Sequence, residues 1–311
     1  MLDTLSKGLF HVLAASDGLK RLASTYGMRN PSSFARRFVA GENVHEAIEA
    51  AREIQGRGLL CSLDLLGESV TSPAEAQKAT RDYQQVIEEI LDAGVDRNVS
   101  LKLTQLGLDV DRATATDNLR KVLDVAVRHE FFVRIDMESS SYTDLTFDIF
   151  EDMWHLGYRN VGVVLQTALK RTEQDLVRIN RLGARVRLVK GAYNESRSIA
   201  FASKSDVDAA FVRHMRVLLS DGAYPAIATH DPAMIEATRA EASRLGLGSD
   251  RFEFQMLYGV RRDLQQKLVD EGYRVRVYIP FGREWFPYFM RRLGERPANV
   301  GFVVRSLMSE G

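Results

Sequence analysis

Cysteine is nearly missing from this 311-residue chain: Cys61, in an apolar run, is the single example. That excludes an intrachain disulfide framework and any CxxC metal or redox motif, and it leaves Cys61 as a buried packing residue. No second histidine or cysteine stands at ligand spacing from His230, so no metal is expected. Net charge is missing too, because 42 basic and 42 acidic side chains cancel. Without an excess positive field nothing pulls a phosphate backbone, so no nucleic acid partner is expected, and membrane contact is at most peripheral. No run of about 18 uncharged apolar residues occurs, which excludes a spanning helix. The opening MLDTLSKGLFHVLAA is broken by Asp3 and His11 and keeps helical spacing, so it reads as a mature amphipathic helix in a cytoplasmic protein.

What is present is a chain that is 45% apolar, long enough for one large core of the size an α/β barrel needs, about 250 residues. From about residue 60, short β-branched and apolar runs alternate with longer stretches of helical period. The runs are Leu59 to Leu66, Val99 to Leu106, Phe131 to Met137, Val161 to Leu165, Arg185 to Val189, Pro225 to Thr229, Phe252 to Leu257 and Arg274 to Ile279. Segments such as SPAEAQKATRDYQQVIEEILDAG, TDNLRKVLDVAVRHE and TEQDLVRINRLG lie between them, several opened by Ser, Thr or Asp and closed near Gly. Repeated βα units of this number predict a closed (βα)8 TIM-type barrel, since closure leaves no orphan edge. Residues 1–57 lack strand character and read as an N-terminal helical arm broken at Asn30-Pro31-Ser32; residues 58–311 form the barrel. No Gly/Ser-rich linker separates the two, so the arm is expected to pack on the barrel.

Working groups in such a barrel sit at the C-terminal ends of the strands. Here those ends read DLLGE, KLTQLG, RIDMES, LQTA, RLVKGAY, ATHD, QMLYG and YIPFG. Lys102 lies between two leucines and so points into the lumen if they face the helices; a buried lysine needs an anionic partner. Asp136 and Glu138 share one strand face, and Asp136 could balance Lys102 or an arginine. Arg187 in RLVKGAY is either a structural ion pair or a fixed cation for a ring that gains electrons; Gly191 marks a close backbone approach. His230 could hydrogen-bond a cofactor or cap the next helix beside Asp231. The last helix, in YIPFGREWFPYFMRRLGE, is two-faced: Tyr288, Arg291, Arg292 and Glu295 fall within about a 100° arc, opposite Phe286, Phe289, Met290 and Leu293. A solvated polar face would explain this pattern. The position directly after the eighth strand, and two adjacent guanidinium forks, favour carboxylate capture instead. GLGSD at Gly246 to Asp250 precedes a strand, so it is a turn and not a dinucleotide loop.

RLVKGAY, ATHD, FEFQMLYG and YIPFGREWFPYFMRRLGE together resemble the proline dehydrogenase family in its compact single-function bacterial form, and the similarity covers nearly all residues. The resemblance implies a distorted (βα)8 barrel with non-covalent FAD that oxidises L-proline to Δ1-pyrroline-5-carboxylate and passes electrons to a membrane quinone. It makes Arg291 and Arg292 a carboxylate clamp, with Lys102 as a third cation and Glu295 as ionic partner. Tyr278, Tyr288 and Leu257 would enclose the pyrrolidine ring. Asp136 would hold the cationic cluster and act with Arg187, which would sit beside flavin N5 and N1. Further flavin contacts would come from Met137, Gln166, Val189, Lys190, Gly191, Ala192, Thr229 and His230. Phe281 departs from the tyrosine that many members carry after the proline, which removes a hydroxyl and keeps the aromatic wall. The aldehyde dehydrogenase domain of bifunctional relatives is expected to be absent, so a separate pyrroline-5-carboxylate dehydrogenase would take the product. The rival reading is a Schiff-base lyase or aldolase on the same barrel, with Lys102 or Lys190 as covalent amine; it leaves the double-arginine helix and both tyrosines without a shared purpose. A non-enzymatic binding module is the third.

Overall fold

The computed structural model describes Met28 and residues 34–294. A helix, α1 (Val44–Gly56), precedes eight strands that alternate with eight further helices. In chain order these are β1 (Leu60–Leu65), α2 (Pro73–Ala93), β2 (Asn98–Leu101), α3 (Arg112–Arg128), β3 (Phe132–Ile135), α4 (Thr143–His155), β4 (Val161–Gln166) and α5 (Thr172–Asn180). Then follow β5 (Val186–Val189), α6 (Lys204–Asp221), β6 (Ala226–Ala228), α7 (Pro232–Arg244), β7 (Glu253–Leu257), α8 (Arg262–Asp270), β8 (Val275–Phe281) and α9 (Trp285–Gly294). Each strand pairs in parallel with its sequence neighbours, and β8 pairs with β1 from Leu60 opposite Arg276 to Leu65 opposite Phe281, so the barrel closes as expected. Local chemistry sets the helix ends. The Ser72 side chain accepts from the Glu75 N–H, Pro73 starts α2, and Gly94 ends it in the left-handed region at φ 67°.

Alternation along the strands separates two buried layers. Leu63, Val99, Leu101, Val133, Ile135, Leu188, Ile227 and Phe254 pack between sheet and helices. Their neighbours Ser62, Ser100, Arg134, Arg187, Glu253 and Gln255 are buried as well, but on the other side. Contacts between strands that are not adjacent can run only through the lumen, and Arg187 on β5 reaches Ser100 on β2 at 3.1 Å and Gln255 on β7 at 2.5 Å. This lumen is therefore filled by hydrogen-bonded polar side chains instead of the branched apolar layers usual in such barrels. Gly162 on β4 makes room for one of them. A Cβ there would stand 2.6 Å from the Arg134 guanidinium and 2.4 Å from the Arg185 carbonyl oxygen.

Strand ends fall within one residue of the sequence reading except at the C-terminal ends of β2, β3 and β8, and β3 stops at Ile135 instead of Met137. β2 stops at Leu101, not Leu106, because the backbone turns: the Leu106 and Leu108 N–H groups both donate to the Leu103 carbonyl at 3.0 Å. Leu103 and Leu106 are fully buried, and a short apolar run signals burial without choosing between strand and turn. β8 continues past Ile279 through Pro280, whose carbonyl accepts from Ala40 N–H at 2.9 Å. GLGSD is a turn, with Arg251 N–H donating to Gly248 at 3.0 Å.

The helical arm is described only in part, and its break at Asn30-Pro31-Ser32 lies outside the described residues. Within it, α1 packs on β1 and β8, and Ala47, Ala51 and Ile54 belong to the barrel's own core. It thus covers the seam where the barrel closes. α9 does not join that core. Trp285, Phe286, Phe289 and Met290 form a separate cluster with Met28, Ala35, Phe38, Val39 and Leu66, which holds α9 at the barrel mouth.

Candidate active site

The C-terminal ends of the strands and the polar face of α9 enclose a cavity of about 600 Å³. Lys102, one residue past β2 and 7% exposed, forms one side and pairs with Asp64, Nζ to Oδ2 at 3.5 Å. Asp136 takes the other partner left open by the sequence: it accepts from Arg187 at 2.5 Å and from the Tyr278 hydroxyl at 2.8 Å. Glu138 accepts from the Thr104 hydroxyl at 2.7 Å, and burial pushes its carboxyl up to about 7. Burial alone would lower the Lys102 ammonium, but Asp64 and Asp136 outweigh it and raise the pKa, so this lysine stays charged.

Arg291 and Arg292 both line the cavity, with Lys102, Tyr278, Tyr288 and Leu257. The Arg291 fork is held bidentately by Glu68, at 2.7 and 3.0 Å. Glu68 therefore partners Arg291 here; the expected partner, Glu295, lies outside the described residues. The Arg292 guanidinium lies 5.1 Å from the Tyr288 ring centroid, and that of Arg187 lies 5.3 Å from the Tyr278 ring centroid. Cations and flat aromatic rings thus alternate around the same space.

Met137, Val189, Ala192 and Thr229 form the remaining wall together with Gln166, Lys190, Gly191 and His230. Gln166 donates its amide N–H to the Glu138 carbonyl at 2.8 Å, which turns its oxygen away from that contact. Gly191 sits at φ 110°, and a Cβ there would meet that oxygen at 3.2 Å and the Ala168 Cβ at 3.3 Å, so this stretch of wall is bare backbone. Lys190 is held between Asp208 at 2.5 Å and Asp231 at 2.7 Å. Of the two readings for His230, the helix cap belongs to Asp231, which accepts from Ala233 N–H at 3.0 Å. His230 Nε2 instead accepts from Leu257 N–H at 2.9 Å, which assigns a ring proton to Nδ1 if the imidazole is neutral.

Four contributors were missed by sequence reasoning: Asp64, Glu68, Tyr193 and Gln255. Each lies in a strand-end string already singled out, so position was the available signal. Tyr193 closes RLVKGAY, lines the cavity, and has its phenol pushed up to about 12 by burial. Asp64 is fully buried, and burial pushes its carboxyl up; the Lys102 charge is the main opposing influence, with Tyr278 and Arg187 behind it.

Such an arrangement can fix a carboxylate at the arginine end and a flat apolar ring between the tyrosines. It also presents a fixed cation, Arg187, held by Asp136 against the Tyr278 ring. The proline dehydrogenase family model matches residues 47–305. Proline dehydrogenase 2 of Bacillus subtilis (strain 168) is 41% identical over 97% of this chain and 99% of its own length. Proline dehydrogenase of Deinococcus radiodurans is 40% identical over 89% of this chain and 90% of its own. Among solved structures, proline utilization A (PutA) from Bdellovibrio bacteriovorus, inactivated by N-propargylglycine, superposes with a TM-score of 0.81 at 25% identity and covers 93% of this chain. The chain spans 36% of that larger protein.

Proposed function

From the premise that the chain belongs to the proline dehydrogenase family and oxidises proline in proline catabolism, we propose that it converts L-proline to Δ1-pyrroline-5-carboxylate with non-covalent FAD in this cavity, passes the electrons to a quinone, and leaves the product to a separate dehydrogenase. The observation that carries this reading is the convergence of Arg291, Arg292 and Lys102 with Tyr278, Tyr288 and Leu257 on one cavity. The same cavity has room for a flat ring: the bare backbone at Gly191 admits a planar face, and Arg187, which also lines it, is anchored by Asp136.

In this reading Arg291 and Arg292 take the substrate carboxylate, with Lys102 adding the third positive charge. Tyr278, Tyr288 and Leu257 hold the pyrrolidine ring, and α9 closes over it and sheds water. Asp136 fixes both Tyr278 and Arg187 through its two oxygens. Met137, Gln166, Val189, Lys190, Gly191, Ala192, Thr229 and His230 would hold the cofactor. Bound FAD would supply the hydride acceptor for ring carbon C5, next to the nitrogen. Arg187 contributes a preorganised positive charge where negative charge develops on that acceptor. The chain's main work is positioning.

A Schiff-base reading needs a neutral, unengaged amine. Lys102 is kept as ammonium beside Asp64, and Lys190 is held by two carboxylates. No helix among the described residues is long and apolar enough to cross a membrane, so the quinone would be met peripherally. The test is the visible flavin band of the purified protein before and after anaerobic L-proline. Bleaching is expected; a colourless protein, or a coloured one that proline does not bleach, overturns the reading, and borohydride trapping of a lysine would favour the rival.

A further inference from the structure

Glu253 opens β7 at the closed end of the barrel and is 3% exposed. It accepts from Arg276 at 2.8 and 3.1 Å, from the Tyr224 hydroxyl at 3.2 Å and from the Gln255 amide N–H at 2.5 Å. Burial pushes its carboxyl up, but the Arg276 charge and these hydrogen bonds outweigh that and leave it below the ordinary value, so it is ionised. Two residues on, Gln255 accepts from Arg187 Nε at 2.5 Å. The other two guanidinium nitrogens of Arg187 donate to Asp136 at 2.5 Å and to the Ser100 hydroxyl at 3.1 Å. The plane of this cation is thus held on all three edges.

The two ends of a glutamine amide have nearly the same shape, so packing alone does not choose its orientation. An ionised carboxylate does choose, because it only accepts. With Glu253 below it, the Gln255 NH2 must face down and its oxygen up, toward Arg187. A reversed amide would set N–H against N–H inside the barrel and leave a buried donor unpaired. Residue type matters as well. A carboxylate in place of Gln255 would add a second negative charge to the one Arg187 already meets at Asp136, whereas an amide oxygen holds the guanidinium without adding charge.

The geometry assigns Glu253 and Gln255 as positioning residues: Glu253 sets the amide of Gln255, and Gln255 holds Arg187 facing the wall of the cavity. The effect on the reaction rests on the flavin reading above. The variants Gln255→Met and Glu253→Gln test it in flavin-loaded protein. Both are expected to lower kcat about tenfold while KM for proline stays within about twofold, because the carboxylate clamp lies on other elements. Both should shift the flavin midpoint potential negative, a tenfold loss in the reduction equilibrium being about 30 mV for two electrons. Should Glu253→Gln fail to fold for want of a counter-charge to Arg276, Gln255→Met carries the test. A variant with wild-type potential and wild-type kcat per bound flavin, and only a lower Tm, overturns the assignment.

A second readout needs no flavin. In flavin-free protein labelled with 15N-arginine, the Arg187 Nε–H, identified by its loss in Arg187→Lys, should exchange slowly with solvent. It should move or broaden in Gln255→Met and in Glu253→Gln; an unmoved resonance in both overturns the hold itself. A wild-type protein that proline does not bleach would refute the flavin reading alone, since this resonance still decides the positioning.

Discussion

At Arg291 two guanidinium N–H groups are taken by Glu68, at 2.7 and 3.0 Å, so in the proposed clamp the substrate carboxylate would meet the N–H donors that Glu68 leaves. The Arg292 guanidinium lies over the Tyr288 ring, 5.1 Å from its centroid. Truncating one partner of a buried, hydrogen-bonded charge pair costs about 2–5 kcal/mol, roughly 30- to 5,000-fold in binding. Arg291→Met and Arg292→Met should therefore raise KM for proline by about two orders of magnitude while flavin content is unchanged. Steady-state kinetics and the visible spectrum check this, and an unaltered KM would rule out the clamp. The two arginines were legible as adjacent forks on one helix face. The partner of Arg291 was not, because Glu68 lies 223 positions away and only the fold brings it near.

Among the elements, α9 carries the most consequence for its ten residues. Its amphipathic pattern allows a polar face toward water or toward the barrel mouth, and periodicity does not distinguish them. Its apolar side decides: Phe289 packs against Trp285 at 5.8 Å and Phe38 at 6.2 Å between ring centroids, in a cluster apart from the barrel core. Phe289→Ala, at about 3–5 kcal/mol for a buried phenylalanine, should thus loosen the helix and spare the barrel. The expected result is a raised KM for proline and faster amide exchange in α9, with β4 and β5 amides still protected. Exchange that quickens evenly through the strands would contradict a separate cluster. β2 teaches the same lesson from the other side, since Leu103 and Leu106 were read as strand when they pack from a turn.

For the molecule as a whole, a polar lumen makes stability depend on pH. Glu138 ionises near 4.5 when exposed, and burial in the fold raises this to about 7. The fold therefore favours the protonated form: its contribution is complete below about 4.5 and is lost as pH rises through about 7, roughly 3 kcal/mol in all. Glu138→Gln should remove that slope. Denaturant titrations from about pH 5 to 8 should show wild type losing stability relative to the variant as pH rises, and a constant difference would refute the shift. Strand alternation and the count of βα units were enough to predict a closed barrel, because closure is what eight such units need to leave no edge. The strand-end strings likewise named side chains that border one cavity, since a barrel puts those ends on one face. Pairing was decided only in three dimensions. Lys102 with Asp64, Asp136 with Arg187 and Arg291 with Glu68 join strands and loops far apart in the chain. Periodicity tells a side chain which face to take, but closing the sheet determines which charges meet in its lumen.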